Sequence, residues 1–374
     1  MAKDINKKPF DEATKLKLEI FGECFREWLP VFIHNPSIDK IFVYDFFAGS
    51  GTDSEGNFGS PLILLNEAKG DNCKVCNSVN GKQIIFAFNE LLDDKNKELT
   101  DSIKSHIDKC IKENCNGNDC QYMRHVGKME FKDAFNGVNF KNKLANKKYA
   151  KFILLDQYGF SQVDENIFKE LVDSPKTDFI FFIASSFITR FKEHPNTKKH
   201  IDTSKINFED CKPKERHKII ADYFKSLIGK KEYYLHHFTI KKNNNHYGLI
   251  FGTGHTLGME KFLKVCWRKD KLSGESNDNS HNDFLEGSLF HNPQTSNKKE
   301  EIKAKIKAKL LSGEITDNIT GFKYTLSELC QPVIFTEVVK ELEKKELIKR
   351  TGDLHYPSVN IHDCKKYNIE ILKK

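Results

Sequence analysis

A run of apolar residues, Ile41-Phe42-Val43-Tyr44, closes on Asp45-Phe46-Phe47-Ala48-Gly49-Ser50-Gly51, and this junction constrains the fold more than any other segment of the chain. Residues apolar on both faces suit a strand buried between two layers of helices, as in a parallel sheet. The glycines that follow allow a tight turn and close backbone approach to a bound molecule. Further apolar runs, Ile84–Phe88, Phe152–Leu155 and Phe179–Ile183, read as strands, with helical stretches at Leu91–Lys112 and Asp164–Asp173 between them. Ahead of the first strand, residues 11–34 read as a helix carrying Leu16, Leu18, Ile20, Phe21, Cys24, Phe25 and Leu29, with Pro30 marking its end. Ser60-Pro61 reads as an N-cap followed by proline at the first helical position. Strand and helix alternation of this kind predicts a doubly wound, Rossmann-like α/β domain. Two later strands, Tyr233–Ile240 and His246–Phe251, flank the turn-rich Lys241–Asn245 and predict an antiparallel hairpin at the end of the sheet.

A chain of 374 residues suits one large α/β domain and a smaller one. The expected boundaries are residues 1–270 for the Rossmann-like domain, with a cysteine-containing insertion at 70–125, a polar linker at 271–300, and a winged helix at 301–374. The winged-helix expectation rests on helices at Glu301–Leu311, Leu326–Leu329 and Phe335–Lys345, then strands Leu347–Arg350 and Tyr356–Val359 around Thr351–Leu354. No stretch of 18 apolar residues occurs, hydrophobic residues make up 38% and mean hydropathy is −0.58, so no membrane span is expected. With no apolar signal core at the start, a cytoplasmic location is expected. Sixty Lys plus Arg against 53 Asp plus Glu give +7, a balance that permits nucleic-acid binding without requiring it. Lys344, Lys345, Lys349, Arg350 and His355 surround the last helix and wing; they suit a DNA backbone and a plain solvated surface equally. Nothing in residues 301–374 decides an oligomeric state.

Ligands of open α/β sheets bind outside the carboxyl ends of the strands, which is where Asp45 and the Gly49–Gly51 loop fall. An acid at the strand end with Phe47 and two glycines after it suits S-adenosylmethionine better than a dinucleotide, because that cofactor has no pyrophosphate. Its ammonium needs an acceptor and its carboxylate needs N–H donors. Glu90 ends the second strand, where an acid can accept ribose hydroxyls; an exposed acid opening the next helix is the equal alternative. Asp156-Gln157-Tyr158-Gly159 follows the strand 152–155, where amino-methyltransferases carry an Asp/Asn-Pro-Pro-aromatic segment that holds a target amine and stacks on its base. Asp156 and Tyr158 are therefore the candidate catalytic residues, although Gln157 and Gly159 stand where that segment has prolines. Among the ten cysteines, Cys73, Cys76, Cys115 and Cys120 form the natural set for a structural zinc, with only the first pair at knuckle spacing; free thiols in loops are the stronger alternative. Ser185-Ser186, His236-His237 and Gly252-Thr253-Gly254-His255 read as cap, strand and turn residues rather than as catalytic groups.

Together these segments resemble the three-Cys-motif partner (TcmP) family, whose class I methyltransferase-like sheet ends in an antiparallel pair. The matching pieces are Tyr44–Gly51, the delayed Gly59-Ser60-Pro61, Asp156–Gly159 and Phe262–Asp270, in order from about residue 10 to residue 270. Gln157 departs from the family's Asp-Pro-aromatic-Gly, a form also similar to the segment of tRNA guanine dimethyltransferases. The resemblance implies a methyltransferase-like fold, S-adenosylmethionine as cofactor, and an exocyclic amine of nucleic acid as substrate. It also implies a separate partner protein with a three-cysteine, radical-S-adenosylmethionine-like motif, and a setting in mobile elements or phage defence. The alternative is a non-catalytic chain that binds nucleic acid or that partner.

Overall fold

The computed structural model describes residues 7–372 except 80, 115–118, 158, 160, 186, 187, 189–193, 199, 210, 212, 279–297, 353–360, 362 and 363. The chain divides into two compact units, Met1–Gly254 and His255–Lys374. Among the described residues no helix is long and apolar enough to cross a membrane.

In the first unit the strands are β1 (Lys40–Asp45), β2 (Gln83–Asn89), β3 (Met123–Gly127), β4 (Tyr149–Leu155), β5 (Thr177–Ile183), β6 (Tyr234–Lys242) and β7 (Asn245–Thr253). They form one sheet in the order β3-β2-β1-β4-β5-β7-β6. The neighbours from β3 through β5 pair in parallel, whereas β7 runs antiparallel to both β5 and β6. This is the Rossmann-like order of a class I methyltransferase sheet with its antiparallel final hairpin. The order reverses at β1, so the crevice between the β1–β2 and β4 ends is the switch point where such sheets bind ligands. The hairpin turns at Asn243-Asn244, with Asn243 at φ 53°, a left-handed conformation that asparagine tolerates.

Aromatic packing fixes the two faces. On one, α1 (Glu12–Ile33) lays Phe21, Phe25, Trp28 and Leu29 on the sheet, with Phe25 against Phe86 and Phe152. Its first turn is capped by Asp11, which accepts from the Thr14 N–H. Pro30 lies inside this helix rather than at its end. Proline removes a single backbone donor, and the helix runs on to Ile33 with His34 N–H closing on the Pro30 carbonyl. On the other face, Phe42, Tyr44 and Phe46 stack along β1 and meet Phe131, Phe135 and Phe140 from two short helices at 131–136 and 138–145. The remaining long helices of this unit are α2 (Ser60–Lys69), α3 (Asp93–Asn114), α4 (Glu165–Asp173) and α5 (Arg216–Ser226).

The second unit begins with α6 (Thr256–Lys269), which buries Met259, Phe262, Leu263, Val265 and Cys266. Next come α7 (Lys298–Leu311), α8 (Asn318–Ser327) and α9 (Val333–Lys344). Helix α8 starts well before the expected Leu326 because Asp317 caps it, accepting from the Thr320 N–H. Gly321 lets the Phe335 ring close on it, where a Cβ would stand 2.1 Å from that ring. Strand β8 (Ile348–Arg350) pairs antiparallel with β9 (Ile369–Ile371). The expected wing strand Tyr356–Val359, and His355 beside it, lie outside the described residues.

Candidate functional site

The ends of β1, β2 and β4 are tied together at one edge of the sheet by residues singled out in the sequence. Asp45 closes β1 and is fully buried. Its carboxylate accepts from Ser60 Oγ at 2.6 Å and from the Phe47 N–H at 3.1 Å. Ser60 therefore spends its hydroxyl on Asp45 instead of capping α2, whose N-cap is Gly59. Burial pushes the Asp45 carboxyl up to about 7; the two hydrogen bonds oppose the rise, the Asp156 charge adds to it and the Lys17 charge offsets it. Asp45 shapes the turn from behind and exposes no carboxylate at the surface.

Beyond Asp45 the chain turns through Gly49 and Gly51, at φ 62° and 84°. A Cβ on Gly51 would also sit 3.2 Å from Leu99 and Ser102, so that position demands glycine on two counts. Phe47 is half-buried, its ring centroid 5.0 Å from that of Phe131. Residues 52–58 form an excursion that delays α2. Asp53 holds it by accepting from the N–H groups of Glu55 and Asn57 and, from the N-terminal segment, of Phe10.

Glu90, just after β2, reaches back to this loop. One carboxylate oxygen accepts from the Gly49 N–H at 3.0 Å and the other from the Leu92 N–H at 2.9 Å. Each oxygen keeps acceptor capacity for a further donor. Asn89 binds the ends of three strands, donating to the Phe46 and Met129 carbonyls and accepting from the Met129 N–H. Leu91, Leu92 and Met129 stand exposed beside Glu90 at 47%, 57% and 47%, an apolar rim around an acid.

Asp45 pairs in register with Leu154 of β4, and Leu155 with Phe181 of β5. The period of two then brings Asp156 and Phe182 out on the face covered by α1. There Lys17 of α1 donates to Asp156 Oδ2 at 2.5 Å, with side-chain exposures of 11% and 16%, and its ammonium lies 5.0 Å from the centroid of the Phe182 ring. Phe182 is in turn stacked on Tyr247. Gln157 is buried and braces the loop: its amide donates to the Phe182 carbonyl and its oxygen accepts from the Gln162 and Val163 N–H groups. Gly159, at φ 93°, accepts from the Ala184 N–H. Tyr158 lies outside the described residues. Of the residues singled out in the sequence, Asp45, Phe47, Gly49, Gly51, Glu90 and Asp156 thus share one edge.

Lys17, Phe182 and Asn89 belong to that edge and were not singled out. Lys17 carried a usable signal: it stands four residues before Phe21 on the sheet-facing stripe of α1, a place for an apolar side chain. It is buried, whereas Leu16 beside it is only half-buried.

The four described cysteines of the 70–125 insertion lie at the opposite, amino-terminal edge. Cys73, Cys76, Cys110 and Cys120 are free thiols lining a cavity of about 360 Å³ with His106, Asp119 and Tyr122. Cys115 lies outside the described residues. The Cys76 sulfur accepts from the Gln121 amide at 2.8 Å. Among the described residues no three His, Cys, Asp or Glu side chains converge to hold a metal ion, so the zinc site expected from the spacing finds no support.

No family model and no curated protein matches the sequence. Solved structures are similar to it only distantly. Trm1 from Pyrococcus horikoshii, in complex with S-adenosyl-L-methionine, is 10% identical, with a TM-score of 0.39 over 66% of this chain and 56% of its own. The METTL16 MTase domain is 9% identical, with a TM-score of 0.30 over 62% of this chain and 66% of its own. An O-methyltransferase from Bacillus cereus in complex with SAH is 12% identical, with a TM-score of 0.31 over 65% of this chain and 91% of its own. The chain thus spans less than two thirds of the length of the first two. At such scores the fold assignment rests on the strand order and on the direction of β7.

Proposed function

We propose that the chain binds S-adenosylmethionine at the carboxyl edge of β1, β2 and β4 and transfers its methyl group to an exocyclic amine of a nucleic acid. The observation that carries this reading is the Gly49–Gly51 turn at the switch point of the sheet, latched by its Gly49 N–H to the Glu90 carboxylate. In this reading Phe47, Gly49 and Gly51 form the methionine cradle, with Asp45 shaping it from behind. Glu90 accepts from the ribose hydroxyls, and Leu91, Leu92 and Met129 cover the adenine. Asp156 and Tyr158 present the amine. Methyl transfer needs the acceptor nitrogen in line with the methyl group, so the enzyme contributes chiefly by positioning. Lysines of the second unit and the net charge of +7 suit a polyanionic substrate, with residues 301–374 acting as a winged helix.

A second reading, a non-catalytic partner of a three-Cys-motif enzyme in a mobile-element or phage-defence setting, draws support from one feature. Asp156, the residue that would hold the amine, is already paired with Lys17. Calorimetric titration with S-adenosylmethionine and S-adenosylhomocysteine, on wild type and on Gly51→Val, tests the site. A labelled-methyl screen over DNA and RNA then separates the readings. Saturable binding lost in the variant with methyl incorporation supports the first; binding without transfer supports the second; no binding to wild type removes both cofactor roles.

A further inference from the structure

The charged amino-acid end of the cofactor, unlike its ribose, finds no available acid in the methionine cradle. Asp45, the acid behind that cradle, is fully buried and already accepts two hydrogen bonds. The groups that do reach the edge are Lys17 and Asp156. A lysine ammonium has three N–H donors. One goes to Asp156 and, among the described residues, the other two have no hydrogen-bond acceptor. Phe182 sits under the same ammonium and holds it over the strand ends.

A nearly buried pair of opposite charges selects among ligands by charge balance. A phosphate group brings at least one net negative charge next to Asp156 and within range of Asp45. A lone ammonium brings a positive charge next to Lys17. A zwitterion brings neither, because its carboxylate can face Lys17 while its ammonium faces Asp156, leaving the site neutral as desolvation requires. We infer that Lys17 is the carboxylate anchor of an α-amino-acid subsite, with Asp156 as the acceptor for the ligand's ammonium. This rests on the cofactor reading above and deepens it, moving Asp156 from the target amine to the cofactor: the amino-acid moiety of S-adenosylmethionine is the zwitterion. Lys17 is then a binding residue contributed by the helix that precedes the sheet, and Gln157 fixes its counter-ion by bracing the turn after β4.

The test compares two probes on three proteins. S-adenosylmethionine and decarboxylated S-adenosylmethionine, which lacks only the carboxylate, are titrated calorimetrically into wild type, Lys17→Met and Lys17→Arg. A charged hydrogen bond predicts that wild type prefers the intact cofactor by about 10- to 100-fold. Lys17→Met is expected to lose that preference by weakening the intact cofactor alone, while Lys17→Arg, which keeps a positive charge of similar reach, retains most of it. Equal loss for both probes in Lys17→Met, or no preference in wild type, overturns the anchor while leaving the cofactor reading standing. Binding of neither probe to folded wild type overturns both.

Discussion

The two ends of the central strands each hold a lysine and an aspartate, and the difference between them separates holding the fold from offering a site. At the amino edge, Lys151 of β4 is completely buried and donates to the Leu144 and Asn146 carbonyls at 3.0 and 3.1 Å, closing the helix before the strand. Asp178 of β5, also buried, accepts from the Trp28 indole at 2.6 Å. Burial lowers the lysine to about 8 and raises the aspartate to about 6. Both groups spend their hydrogen bonds inside the protein. At the carboxyl edge, Lys17 and Asp156 spend theirs on each other and keep some exposure. Buried charge is tolerated at both ends, but Lys151 is sealed from solvent whereas Lys17 and Asp156 keep some exposure.

The largest effect that could break this comparison is on stability. Asp178→Ala leaves the Trp28 N–H without its acceptor in a dry core, so urea unfolding should show a loss of about 1–3 kcal/mol with cofactor affinity unchanged. A loss of affinity at constant stability would reverse the roles of the two edges. The double variant Lys17→Met/Asp156→Leu is the mirror image. Its unfolding free energy should stay within about 1 kcal/mol of wild type, since exchanging both charges of a nearly buried pair for apolar side chains of similar size is close to neutral, while cofactor affinity falls.

Smaller effects should appear in the dependence of stability on pH. Asp178 keeps its proton in the fold up to about 6, whereas in the unfolded chain it ionises near the ordinary value of about 4. Stability therefore declines as pH rises between those values, and Asp178→Asn should flatten the decline in thermal melts. His217 has the opposite sign. Its ring fills the space left by Gly248, with Nδ1 3.1 Å from Thr239 Oγ1, and burial holds it well below the usual histidine value. Protonating it favours the unfolded chain, so stability should fall as pH drops below about 6.5, and His217→Gln should remove that component.

Much of this arrangement was legible in the sequence because the central strands are apolar on both faces. Ile41–Asp45, Ile84–Phe88, Phe152–Leu155 and Phe179–Ile183 could hardly be anything but buried strands, and the turn-rich tract at 241–245 marked the hairpin. Strand β3 was not legible. Met-Arg-His-Val-Gly at 123–127 lies at the sheet edge, exposed or half-buried throughout, so it carries no apolar run. Position at strand ends likewise pointed to Asp45, Glu90 and Asp156, which the fold brings to one edge, but the same logic passed over Lys17. A cation on an apolar stripe reads locally as a defect, and its meaning depends on Asp156, 139 residues away. Gln157 was legible only as a departure from a proline pattern. Its use as a three-way brace depends on the Phe182 carbonyl and two loop amides brought close by the fold.

The central claim is that the carboxyl edge is the working edge, and hydrogen–deuterium exchange with and without saturating S-adenosylmethionine tests it most directly. The account predicts slowed exchange at the amides of residues 47–51 and 90–92, with the amino edge around Lys151, Asp178 and the cysteine cavity unchanged. Slowed exchange confined to the amino edge, or none anywhere on a folded protein, would contradict it.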